Sequence, residues 1–158
     1  LYFICIKKMS NENLNVIKFK LNKGAVLPTR AGDNEVGFDL TIISKIKDID
    51  PYTSLYDTGV CVQPPENYYF EVVPRSSLYK LGYVLSNSVG IIDPSYRGTI
   101  KIALTKINKQ APLLELPNKR FQLIPREFLS NIFSVEVADE LLDTERGEGG
   151  FGSTDNNY

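Results

Sequence analysis

Three segments of this 158-residue chain gather side chains able to hold phosphate or to move a proton. In Pro74-Arg75-Ser76-Ser77-Leu78-Tyr79-Lys80, the guanidinium of Arg75 offers a planar fork for phosphate oxygens, and the serines add hydroxyl and backbone donors. The competing reading is a helix N-cap serine beside a surface arginine. In Asn87-Ser88-Val89-Gly90-Ile91-Ile92-Asp93-Pro94-Ser95-Tyr96-Arg97-Gly98, a carboxylate ends an apolar hairpin arm. Next to Ile91 and Ile92 it would be partly desolvated, and so able to take a proton from water beside a metal-bound phosphate; the plainer reading is that Asp93-Pro94 starts a turn. In Arg146-Gly147-Glu148-Gly149-Gly150-Phe151-Gly152-Ser153-Thr154, glycine N–H groups, two hydroxyls and an arginine can wrap a polyphosphate. The alternative there is a disordered tail, against which stands Phe151, an aromatic with nothing local to pack on.

Gly147 to Gly152 formally satisfies G-x-G-x-x-G, but a dinucleotide site needs a following helix, and only six residues remain. No Gly-Lys-Ser/Thr is present to make a P-loop. The chain has no histidine, which removes Ser-His-Asp and Cys-His triads and HExxH zinc sites. Catalysis must use carboxylates, hydroxyls, Lys or Arg, or a metal ion on oxygen ligands. Eighteen basic and nineteen acidic residues give a net charge of -1, a balance that does not favour polymeric nucleic acid as a partner. Cys5 and Cys61 can pair at most once and cannot build a zinc site, which fits a reduced, intracellular protein of the cytoplasm or nucleus.

The elements that must position these groups have the periodicity of strands. Val16 to Leu21 alternates Ile17, Phe19 and Leu21 with Lys18 and Lys20, and Thr99 to Ile107 repeats the pattern. Gly59 to Gln63, Tyr68 to Val73, Phe121 to Ile124 and Ile132 to Val137 read as further strands, separated by Gly, Pro and Asn turns. The one helix candidate is Ser76 to Leu81. Short strands in one set, without an internal repeat, predict a single all-β sandwich, jelly roll or barrel. The apolar run Leu1 to Ile6, followed by Lys7 and Lys8, is too short to span a bilayer, and its charges lie on the wrong side for a secretory signal. Leu1 to Lys8 is expected to lie outside the fold.

In order along the chain, these segments resemble the five motifs of the trimeric dUTPase family. Val36-Gly37-Phe38-Asp39-Leu40 is similar to the first, Pro74 to Lys80 to the second, Asn87 to Gly98 to the third, Lys119 to Ile124 to the fourth, and Arg146 to Thr154 to the fifth. Asp143-Thr144-Glu145-Arg146-Gly147 extends the last, and the resemblance covers the chain from about Val16 to Thr154. It implies a dUTPase-like jelly roll, a barrel of the β-clip type, with an N-terminal extension over 1–15, a β-domain over 16–144 and a flexible Gly-rich arm over 145–158 that closes over an active site. The implied activity is Mg²⁺-dependent hydrolysis of dUTP to dUMP and pyrophosphate, which limits uracil in DNA and supplies dUMP for dTMP synthesis.

The resemblance also implies roles. Asp93 would be the general base for water attack on the α-phosphorus, and Asp39 would hold Mg²⁺ through its hydration shell. Arg75, Ser76, Ser77 and Gln122 would bind phosphates, with Arg146, Gly152, Ser153 and Thr154 closing over the far end and Lys101 also touching substrate. Asn87 and the backbone of Gly90, Ile91 and Ile92 would read the uracil edge, Tyr96 would pack under the deoxyribose, and Phe151 would stack on uracil. Members of this size are homotrimers with sites shared between subunits. The chain departs from the usual pattern at Val36, Ser95, Lys119, Phe121 and Asp155; Phe121 is expected to displace volume beside Gln122. The alternative functions are dCTP deaminase, which shares the jelly roll, and a regulatory protein-binding module on the same fold.

Overall fold

The computed structural model describes residues 15–129 and 132–148. Its strands are β1 (Lys18–Leu21), β2 (Phe38–Ile42), β3 (Ser44–Asp48), β4 (Thr53–Asp57), β5 (Val60–Gln63), β6 (Tyr68–Pro74), β7 (Tyr83–Leu85), β8 (Gly90–Ile92), β9 (Lys101–Lys106) and β10 (Asn118–Glu127). Two four-stranded sheets, ordered β2-β10-β6-β8 and β3-β4-β9-β7, are joined by a β1-β5 ribbon, and every pairing is antiparallel. Neighbours in a sheet are mostly distant in sequence, as the crossing connections of a jelly roll require.

Both sheets feed one apolar core. Leu40, Ile42, Phe70, Val72, Phe121 and Leu123 come from the first, and Tyr56, Tyr83, Leu85, Ile102 and Leu104 from the second. The alternation read from the sequence is what places them: Ile102 and Leu104 turn inward while Lys101 stays exposed. Among the described residues, no helix is long and apolar enough to cross a membrane.

Thr58 ties the two halves of the core together. Fully buried, it donates its hydroxyl to the carbonyl of Ile100 at 2.8 Å and accepts the N–H of Val60 at 3.1 Å. The Val60 carbonyl in turn accepts the Ile100 N–H at 2.8 Å. Ile100 ends the segment that carries Asp93 and Tyr96, so this stitch fixes where that segment re-enters the body of the fold.

Two expectations are corrected. Ile132 to Val137 forms no strand; Phe133, Val135 and Val137 are 78%, 96% and 98% exposed. Its alternation is real, but no strand edge of the described chain pairs with it, and an isolated strand has no ladder to hold it. The helix expected over Ser76 to Leu81 shrinks to a 3-10 turn at Leu78–Leu81, ended by Gly82 in the left-handed conformation at φ 76°.

Replacing Thr58 with valine keeps the shape but leaves the Val60 N–H without its hydroxyl acceptor. Urea unfolding is expected to show a loss of about 1–3 kcal/mol with an unchanged m-value.

Candidate functional site

The centre of the site is built by register. Asp39 on β2 pairs with Gln122 on β10, and Gln122 pairs with Val73 on β6. Leu40, Phe121 and Leu123 are fully buried in the core, so Asp39 and Gln122 point to the opposite face. Phe121 therefore does not crowd Gln122 as expected: the two lie on opposite faces, and the core takes up the ring.

A β-bulge adds charge to that face. Asn118 pairs with Ile42 but Phe121 with Leu40, so Lys119 and Arg120 together oppose Thr41. A bulge bends its strand and re-aims the side chains within it. Lys119 Nζ lies 3.0 Å from Asp39 Oδ2, while Arg75 Nη1 lies 3.0 Å from Asp39 Oδ1. Lys119 thus supplies a cation to Asp39 in the place where the family pattern has arginine. Arg120 reaches the other way and donates from Nη1 to Ser77 Oγ at 2.8 Å. The backbone closes the cluster: the Arg75 N–H bonds the Arg120 carbonyl at 2.8 Å, and the Asp39 N–H bonds that of Thr29 at 2.8 Å.

Ser77 holds the N-cap position of the 3-10 turn, yet its side chain makes no cap hydrogen bond. The capping explanation for this serine fails, and its hydroxyl belongs to the basic cluster. Ser76 is exposed beside it. Gly37 explains why a small residue precedes Asp39: a Cβ there would stand 3.0 Å from Gln122 Cδ and 3.1 Å from its Cβ, inside the space of the carboxamide.

The third segment forms a separate feature. It is not the expected hairpin: β7 pairs with β9 in the other sheet, while β8 pairs with β6, Gly90 opposite Val72 and Ile92 opposite Phe70, as the edge strand of its sheet. Ser88, at φ 60°, turns the chain between Asn87 and Gly90, with the Val89 N–H on the Asn87 carbonyl at 2.6 Å. Asn87 is exposed there. Asp93 follows β8 and is exposed, contrary to the expected partial desolvation, because it lies beyond an edge strand and none of the described residues covers it. Its carbonyl accepts the Tyr96 N–H at 3.0 Å, so the turn reading holds for its backbone while its carboxylate stays available. The Tyr96 hydroxyl donates to the Thr99 carbonyl at 2.9 Å. Its ring lies over Gly98, where a Cβ would come within 2.7 Å of Cζ. Lys101 begins β9, exposed, opposite Asp57.

The register also shows what one chain cannot bring together. From Asp39 to Asp93 is three strand spacings sideways and about four residues along, on the order of 20 Å. That is far more than the single water that separates a general base from the atom it serves. Arg146 lies exposed in a turn over 145–148, where the Gly147 N–H bonds Thr144 Oγ1 at 3.2 Å. Phe151, Gly152, Ser153 and Thr154 lie outside the described residues.

Sequence reasoning missed Arg120 and gave Gly37 no role. Three polar residues in a row, Asn118-Lys119-Arg120, were the available signal, since strict alternation would have turned one of the two cations toward the core.

The family model for dUTPase matches residues 23–155. The chain belongs to the dUTPase family. It is 37% identical over 146 residues to the deoxyuridine 5'-triphosphate nucleotidohydrolase of Escherichia phage T5, covering 88% of this chain and 98% of the phage protein. Among solved structures, a G164S variant of the Staphylococcus bacteriophage 80alpha dUTPase bound to dUpNHpp superposes with a TM-score of 0.71 at 20% identity, covering 89% of this chain and 99% of that one. A variant dUTPase of phage phi11 of S. aureus, in which a structural Mg(II) ion is coordinated, gives 0.66 at 17%, covering 82% and 100%. At those identities the two structures establish the dUTPase fold for this family member.

If Gln122 faces bound phosphate, Gly37→Ala should push its carboxamide aside and weaken pyrophosphate binding by roughly tenfold, the scale of one charge-assisted hydrogen bond. Calorimetric titration reads this directly. Unchanged affinity in a normally folded variant would take Gln122 out of the site.

Proposed function

We propose that the chain hydrolyses dUTP to dUMP and pyrophosphate, with Mg²⁺, in sites shared between the subunits of a homotrimer. The observation that carries this reading is the division of labour: a basic cluster around Asp39 on one sheet face, and a carboxylate-bearing edge segment on the order of 20 Å away. The cluster of one subunit meets the Asp93 segment of the next. Arg75, Ser76, Ser77, Lys119 and Gln122 bind the triphosphate, and Asp93 of the neighbour takes the proton from the attacking water. Asn87 and the backbone of Gly90 to Ile92 pair with the uracil edge, Tyr96 packs against the sugar, and Lys101 adds a contact to substrate. Residues Arg146 to Thr154 supply the closing contacts, Phe151 against the base.

Among the described residues no cluster of three or more carboxylates or thiolates could cage a metal. A lone carboxylate, Asp39, fits an ion that keeps its waters and takes its other oxygens from substrate, as Mg²⁺ does in phosphoryl-transfer sites. Bound there, Mg²⁺ would neutralise phosphate charge. Asp39 would hold it through water, and Arg75 and Lys119, now paired with Asp39, would turn toward phosphate oxygens.

Assembly has its own support. Ile132, Phe133, Val135 and Val137 expose an apolar, alternating segment that no described strand pairs with, a surface that a neighbouring subunit would cover.

Pyrophosphate release from dUTP, dTTP, dCTP and UTP, with Mg²⁺ or with chelator, tests the activity. Hydrolysis is expected for dUTP alone and only with Mg²⁺; ammonia release from dCTP would point to the deaminase instead. Asp93→Asn is expected to cut turnover by about 10²- to 10⁴-fold while dUTP still binds. Lost binding in a folded variant would mean that Asp93 has another role. Mixing the inactive Asp93→Asn and Arg75→Met proteins after partial unfolding should regenerate activity in about a quarter of sites, because random assembly pairs an intact cluster with an intact Asp93 segment. No recovery from verified mixed trimers would refute the shared site.

A further inference from the structure

We infer that Arg120 is a positioning residue of the phosphate site, acting through Ser77. The inference rests on the phosphate-binding reading above. It starts from the bulge, which sends two consecutive cations to two different partners: Lys119 to Asp39, and Arg120 to Ser77. Arg120 is half-buried and, among the described residues, forms no ion pair. A cation held partly out of water without a carboxylate is costly unless an anion arrives to meet it.

The hydrogen bond at Ser77 has a direction, and the direction matters. A guanidinium can only donate, so the Ser77 oxygen is the acceptor at 2.8 Å. The serine proton cannot then point toward Arg120. The turn offers no competing cap bond to Ser77 either. Arg120 therefore turns Ser77 into a donor aimed away from the strand, and its charge strengthens that donor. The backbone adds a second link, because the Arg75 N–H is bonded to the Arg120 carbonyl at 2.8 Å. One residue of β10 thus orients both the hydroxyl of Ser77 and the main chain at Arg75.

The ligand this arrangement serves is a di- or triphosphate, which has enough anionic oxygens to engage Ser77 and Arg75 together. The test compares Arg120→Met, Arg120→Lys, Ser77→Ala and the Arg120→Met/Ser77→Ala double variant, each checked for a normal unfolding midpoint. The probes are inorganic pyrophosphate and dUMP by calorimetry, and KM and kcat for dUTP. Arg120→Met is expected to weaken pyrophosphate and raise KM by roughly tenfold, with kcat and dUMP affinity changed by less than about threefold. Ser77→Ala should cost a similar factor in the native background and almost nothing beside Arg120→Met, the signature of residues acting as one unit. Arg120→Lys should fall between the native protein and Arg120→Met. If Arg120→Met does not fold, coupling between Arg120→Lys and Ser77→Ala decides.

Full pyrophosphate affinity in Arg120→Met, or equal Ser77→Ala losses in both backgrounds, would overturn the inference. Arg75→Met serves as the control. Should it also leave pyrophosphate affinity intact, the phosphate site itself is misplaced and both readings fall; if only Arg75→Met loses affinity, this inference alone is wrong.

Discussion

The carboxylate of Asp39, shared between Arg75 and Lys119, is the point where the architecture becomes a site. Asp39 and Lys119 lie on β2 and β10 and Arg75 directly follows β6, so their meeting requires these three adjacent strands to be in register at that level. As stability the contacts are worth little, since the side chains of Arg75 and Lys119 are 39% and 55% exposed and exposed pairs contribute about 0–1 kcal/mol each. Their value is in placement. A one-residue slip of β10 would turn Gln122 into the core and Phe121 into water, and the buried cost of Phe121 forbids it.

That dependence explains which parts of the molecule could be read from residues alone. β1, β6, β9 and the middle of β10 show their alternation openly, because each has one face on the core. β3 does not: Ser44–Asp48 is exposed along its whole length and carries no apolar stripe to betray it. The hairpin that joins β3 to β4 is held by polar contacts instead, with Asp50 Oδ1 accepting the N–H groups of Tyr52 and Thr53, each at 2.7 Å. Those backbone bonds, that of Tyr52 foremost, lower the Asp50 pKa below its ordinary value. Ile132 to Val137 fails in the reverse sense, with a strand's pattern and no partner in the chain.

The site divides the same way. The motif residues were legible as chemistry, but their grouping was not, because grouping depends on register across strands far apart in sequence. The bulge at Lys119 and Arg120 contains neither glycine nor proline, so only the polar run Asn118-Lys119-Arg120 hints at it. The separate position of Asp93 was equally hidden. Only the pairing of β8 with β6 shows that this residue stands at a sheet edge away from Asp39.

The distance between those two carboxylates has a genetic corollary. In the proposed trimer each chain lends its basic cluster to one site and its Asp93 segment to another, so a defect in either half is not confined to the chain that carries it. A cell making both an intact copy and one with a disabled Asp93 segment would assemble mixed particles, in which good clusters face bad edge segments. Such an allele would behave as partly dominant, whereas one that fails to fold would stay out of the particle and be recessive.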